Sequence, residues 1–269
     1  MNGVIEIGLL PLALAYVFVL VLLLYVRARR INREREILVS SIRMTLQLMI
    51  AGHLLAVLFE NPHPLLTVAA VLVMEGFAVQ NIIRRVKVPL SYRLKRIIAF
   101  SMTSGTLVSL FFFLLFVVGL RPWYEPRYFI PIAGMIIGNS MTGISLGVNR
   151  LVDGIITRQD LVEAALMLGA TPREAVRRIV DAAFDAAFLP TINSMTGMGI
   201  VFLPGMMTGQ ILSGVSPITA IEYQIAIMLG ILGGVAFTVI LFVHFGASAF
   251  FNDRAQLVYP TEVPDMSDR

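Results

Sequence analysis

Seven apolar stretches, each about twenty residues long, constrain this chain more than any other feature. They run from Ile7 to Val26, Ile37 to Phe59, Leu65 to Ile83, Ile98 to Leu120, Phe129 to Val148, Thr191 to Leu212 and Ile221 to Phe245. At a rise of about 1.5 Å per residue, such a run crosses roughly 30 Å of hydrocarbon as a helix. A membrane core offers no water to free N–H and C=O groups, so a chain with this pattern must satisfy its backbone within helices. Only 14% of its 269 residues are charged, against about 25% in a soluble domain. Mean hydropathy is +0.83. The expected fold is all-α: a polytopic membrane protein, one domain over residues 1–269, with about seven transmembrane helices.

Charge sets the expected orientation. Glu6 is the only charge before the first run, while Arg27, Arg29, Arg30, Arg33 and Arg35 follow it. That order predicts a retained helix with its N-terminus outside, since a cleaved leader carries its positive charge first. The loops after runs one, three, five and seven hold eighteen Lys and Arg; the opposite loops hold only Arg121 and Arg127. The positive-inside bias then predicts a cytoplasmic C-terminus, with a short, disordered polar tail after Phe251. The formal charge of +4 comes from these flanking arginines and is no nucleic-acid signal. Cysteine is absent, which excludes disulfides and thiolate metal sites.

One long charged segment interrupts the apolar pattern, TRQDLVEAALMLGATPREAVRRIVDAAFDAAFLP from Thr157 to Pro190. Its caps predict two helices within 157–188. Thr157, with Asp160 three residues on, caps the first, and Leu161, Ala164, Ala165 and Leu168 make its apolar stripe. Gly169 stops it, because glycine tolerates a left-handed backbone. Thr171 caps the second, with Pro172 at its first position and Glu174 completing a capping box. By the charge count this helix–Gly–helix elbow lies on the cytoplasmic side.

The run EAALMLGATPREAVRRI resembles the EAA loop of ABC-transporter permeases: Glu163, Ala164, Ala165, Gly169 and Ile179 fall on the family spacing, while the closing Leu-Pro comes late, at Leu189-Pro190. With SMTGMGIVFLPGMMTGQILSG, Ser194 to Gly214, the chain is similar to the FetB-type permeases, linked to iron export, whose plant relatives affect aluminium tolerance. The likeness extends from about Ser40 to Phe251. It implies a permease of the bacterial inner membrane, working as a homodimer among membrane lipid with a separate ABC ATPase subunit. Glu163, Ala164, Ala165, Gly169, Thr171, Glu174 and Ile179 would form the ATPase-coupling element. No G-x-x-x-x-G-K-[ST] loop occurs here, so ATP and Mg would be held by the partner and this chain would carry no catalytic residue or cofactor of its own.

Several polar residues within the spans are candidates for a substrate pathway. Glu75 is the only acidic residue well inside a run, and a carboxylate there costs roughly 2.5–3.5 kcal/mol to insert. It is a candidate ligand for a hard cation such as iron, with Gln80 and Asn81 one turn or more beyond it. Equally open is a structural hydrogen bond or an ion pair with Arg43. In the sixth run Pro204 frees a carbonyl near Ile200, so a broken helix could line a path with Asn193, Thr196, Thr208 and Gln210; a packing kink is the other reading. Asn139, Ser140 and Thr142 in the fifth run could line a path or join helices. Met195, Met198, Met206 and Met207 read better as packing than as a soft-metal site. Four G-x-x-x-G pairs, beginning at Gly134, Gly143, Gly205 and Gly230, predict close helix contacts. Alternatives to iron export are another ABC substrate, such as a nucleotide sugar, or a non-transporting scaffold whose elbow holds a cytosolic partner.

Overall fold

The structure, a computed structural model, describes residues 8–86 and 88–258. Within them the chain forms α1 (Leu9–Ala28), α2 (Glu34–Glu60), α3 (Pro64–Arg85), α4 (Tyr92–Phe112), α5 (Pro126–Thr157), α6 (Gln159–Met167), α7 (Pro172–Gly197), α8 (Gly205–Leu212) and α9 (Pro217–Gly246). A π-turn over Phe113–Val117 extends α4, and a 3₁₀ turn over Ala247–Phe250 extends α9. Among the described residues no strand forms beyond the isolated bridges Met198–Phe202 and Phe251–Leu257. Proline opens α3, α5, α7 and α9, where its missing N–H has no helical partner to lose.

Among the described residues, six helices are long and apolar enough to cross a membrane: α1, α2, α3, α4 with its π-turn, α5, and α9 with its 3₁₀ turn. The predicted sixth span, 191–212, is not one helix. Its first part is the end of α7, which runs without a break through Pro190, and its last part is the two-turn α8. The intervening 198–204 segment turns on Gly199, whose φ is +82° and whose N–H donates to the Phe202 carbonyl at 3.0 Å. Pro204 therefore caps α8 instead of kinking a continuous helix.

Small residues set the packing of the central helices. A Cβ on Gly105 of α4 would lie 2.5 Å from Thr238 Cγ2 of α9, and one on Gly230 of α9 would lie 2.7 Å from the Phe113 ring. These two contacts make α4 and α9 antiparallel partners. On α5, Gly143 meets the Ala187 carbonyl of α7, and Gly154 receives the Ile179 side chain, so α5 and α7 are antiparallel as well. Gly234 of α9 lies against Ile136 of α5, while Gly138, Gly205 and Gly209 have no neighbour within 4 Å of a Cβ. Lipid tails are as apolar as leucine, so close van der Waals contact, not escape from water, holds such helices together.

The α1–α2 hairpin stays at the edge: among its described side chains only Val26 and Leu58 are buried. The Tyr16 hydroxyl bonds Thr45 within the hairpin, and the Arg43 guanidinium sits 5.2 Å over the Phe77 ring of α3. Beyond α9, Phe250 and Phe251 are buried in the core, and Val258 N–H donates to the Phe250 carbonyl at 2.8 Å. The part of the expected tail before Val258 is thus folded back on the bundle; the remainder lies outside the described residues.

Candidate functional site

The elbow is built by local backbone chemistry. At the end of α6, Gly169 N–H donates to the Leu166 carbonyl and Ala170 N–H to the Ala165 carbonyl, both at 3.0 Å. This pair is a Schellman motif, and it requires the left-handed φ of +90° that Gly169 adopts. Two residues on, the Thr171 hydroxyl accepts from Glu174 N–H at 3.4 Å, while Thr171 N–H donates to Glu174 Oε2 at 2.8 Å. The Thr171 side chain, and after it the Thr171 backbone N–H, holds the Glu174 carboxyl below its ordinary pKa.

The first helix of the elbow starts differently from the sequence expectation. Thr157 is the last residue of α5, and Arg158 precedes α6 with no side-chain cap. The expected inward stripe is also rotated. Val162 is buried and Leu166 packs on the core, whereas Leu161, Met167 and Leu168 are 70%, 82% and 90% exposed. Glu163 is exposed and accepts from Gln159 Nε2 at 2.9 Å; Ala164 and Ala165 are half-buried. Ile179 seats in the notch left by Gly154 of α5. The elbow is consequently anchored at Val162 and Ile179 and presents an apolar tip around Gly169.

Glu75 is 3% exposed, between α3 and α4. The Thr106 hydroxyl bonds Glu75 Oε1 and also reaches its own helix's Met102 carbonyl at 2.7 Å; Oε2 has no hydrogen-bond partner among the described residues. Arg43 is engaged with Phe77 instead. Gln80 is exposed and Asn81 half-buried. They lie five and six residues beyond Glu75 and so point elsewhere around the helix. No group of three or more His, Cys, Asp and Glu side chains forms among the described residues.

The other pathway candidates fall nearer one another. The Gly143–Ala187 contact puts Asn139 of α5 and Asn193 of α7 at similar height on adjacent helices, and both are exposed. Asn139 Nδ2 donates to the Met135 carbonyl at 2.8 Å, and the exposed Thr196 hydroxyl to the Ile192 carbonyl at 2.9 Å. The same register brings Gly197 level with Ala133, roughly 10 Å along α5 from its start. There the irregular 198–204 segment leaves Ile200 and Val201 90% and 80% exposed. Beside it, Gln210 Oε1 and Gln224 Oε1 are buried without hydrogen-bond partners among the described residues, and Gln224 Nε2 reaches Met198 Sδ at 3.9 Å. Gln224 and Thr106 were not singled out from sequence; a glutamine in the α9 apolar run was the available signal. Met207 is buried, and Met198 and Met206 pack on the core.

Long apolar helices around a small-residue core, joined by a capped elbow and an irregular segment, define a polytopic helical membrane protein. The chain belongs to the family described as Uncharacterised protein family (UPF0014), whose pattern matches residues 9–251. It is 33% identical over 247 residues to the probable iron export permease protein FetB of Escherichia coli (strain K12), covering 92% of this chain and 93% of the relative. It is 35% identical to the UPF0014 membrane protein YjkA of Bacillus subtilis (strain 168), covering 83% and 88%. Against Protein ALUMINUM SENSITIVE 3 of Arabidopsis thaliana it is 35% identical, covering 86% and 82%. No solved structure matches the chain.

Proposed function

We propose that this chain is the membrane half of an ABC exporter that moves iron or a related metal cation out of the cytoplasm. A separate ATPase subunit docks on the α6–α7 elbow and supplies ATP and Mg. The observation that carries the reading is the elbow tip: Leu161, Met167 and Leu168 are exposed on a bend held by a Schellman motif and a capping box. Such a tip is stiff enough to transmit force and apolar enough to need a partner. Ile179 in the Gly154 notch ties that bend to α5 and α7, so a push on the tip moves the two helices that carry Asn139, Asn193 and Thr196.

In this reading the second half of α7 and α8 together make the sixth of seven crossings, with the N-terminus outside and the C-terminus in the cytoplasm of a bacterial inner membrane. Irregular backbone at membrane depth is tolerated only against protein or a water-filled path. A homodimer meeting across the 198–204 segment would supply that cover. The iron assignment draws on the Escherichia coli relative, which is named a probable iron export permease.

The test is metal efflux from proteoliposomes holding this chain and its ATPase. ATP-dependent loss of iron that requires both chains is expected; equal loss without ATP, or retention of the metal with both chains active in ATP hydrolysis, contradicts the proposal.

A further inference from the structure

A groove on the outer surface of α4 and α9 plays no part in the transport reading. It encloses about 460 Å³, lined by Arg93, Arg96, Ile97 and Phe100 of α4 with Phe245 and Ser248 opposite. The α4 residues recur at three- and four-residue spacing and so form one stripe. The stripe is graded. Both arginines stand in the first turns of the helix, and Phe100 lies a turn further along, its ring 6.2 Å from that of Phe245 and edge-on to it.

The two arginines make no ion pair among the described residues; Arg33–Glu36 is the pair found there. Arg93 Nη1 donates to the Phe251 carbonyl at 3.5 Å, and the Arg96 guanidinium rests 5.8 Å over the Tyr92 ring. No acidic residue lines the groove. Two unpaired cations at the end of an apolar span, above an aromatic floor, complement a molecule with an anionic head and an oily tail.

We propose that the groove binds an anionic phospholipid, its phosphate between Arg93 and Arg96 and an acyl chain along Ile97, Phe100 and Phe245. The neighbouring cavity, about 360 Å³, shares Arg93 and Ser248 with the groove and extends to Thr171 and Arg173 at the start of α7. A lipid held there braces the base of the elbow. The binding itself does not depend on the transport reading.

The experiment is native mass spectrometry of the full chain released from nanodiscs of phosphatidylcholine containing phosphatidylglycerol as about one lipid in four. The ratio of phosphatidylglycerol to phosphatidylcholine retained on the chain should exceed the bulk ratio at least about tenfold, and R93Q/R96Q should abolish that enrichment. Phe100→Ala should weaken retention with both arginines in place. R84Q/R85Q, at the end of α3, is the control for general juxtamembrane attraction and should leave retention unchanged. A cooperative melt shared by all variants establishes that they are folded. Equal retention of the two lipids, retention by R93Q/R96Q at the wild-type level, loss in R84Q/R85Q equal to that in R93Q/R96Q, or displacement of the lipid by millimolar inorganic phosphate would overturn the proposal. Absence of transport would leave it intact.

Discussion

Gly105 and Gly138 look alike in sequence, each a glycine inside a long, mostly apolar run and next to a polar residue, yet their surroundings are opposite. At Gly105 an added Cβ would meet the Thr238 backbone N at 2.6 Å, which no rotamer change relieves, whereas Gly138 has open space. Gly105→Ala should therefore destabilise the bundle by about 1–3 kcal/mol, as overpacking does. Gly138→Ala should be neutral or stabilising by up to about 1 kcal/mol through helix propensity. Thermal unfolding in one detergent distinguishes them, and equal melting would refute the α4–α9 contact. Glu174 gives a pH prediction. Its folded pKa lies below its ordinary value because Thr171 bonds the ionised form. The capping box therefore contributes its full stabilisation at neutral pH and loses it as pH falls through the depressed folded value. Protection of the amides at the start of α7, their exchange taken relative to an unstructured chain at the same pH, should fall over that acidic range in the wild type, and Glu174→Gln, which keeps the box, should flatten the dependence. Glu75 shows the limit of reading residues one at a time. The sequence made its cost evident, but not its partner, because Thr106 lies 31 residues away and only helix packing brings them together.

Among the elements, the elbow was the most legible, since Gly169, Thr171, Pro172 and Glu174 act through near-neighbour backbone chemistry. Its orientation was not: helical spacing cannot say which of two apolar faces turns inward, and Val162 rather than Leu161 is the anchor. The 191–212 stretch misled for a related reason. Hydropathy registers its apolar content, but Gly197, Gly199 and Pro204 decide where the helix stops, and Pro190, the other candidate breaker, is accommodated within α7. For the elbow itself, Gly169→Val places a β-branched side chain at φ +90°. A left-handed residue costs roughly 1–2 kcal/mol even without β-branching, so the Schellman turn should open. Membrane insertion should be unchanged while ATP-dependent export drops several-fold at normal protein level; wild-type export would count against the elbow as the point of coupling.

For the whole molecule, the long spans and their order were readable because hydropathy reports directly on burial in lipid, and the α1–α2 hairpin that barely joins the bundle was not, because an apolar helix facing lipid and one facing protein have the same composition. In the proposed transport reading, the parts are united by a mechanical path from the exposed Leu168, through Ile179 in its Gly154 notch, to the exposed polar faces of α5 and α7. The natural chain has no cysteine, so a single one at Leu168 is a clean probe. In intact membranes containing the ATPase subunit, cross-linking through that cysteine should yield a one-to-one adduct of the two chains and block ATP-driven export. A Leu168 cysteine that reacts with an impermeant reagent from outside, or forms no adduct with a bound ATPase, would contradict the account.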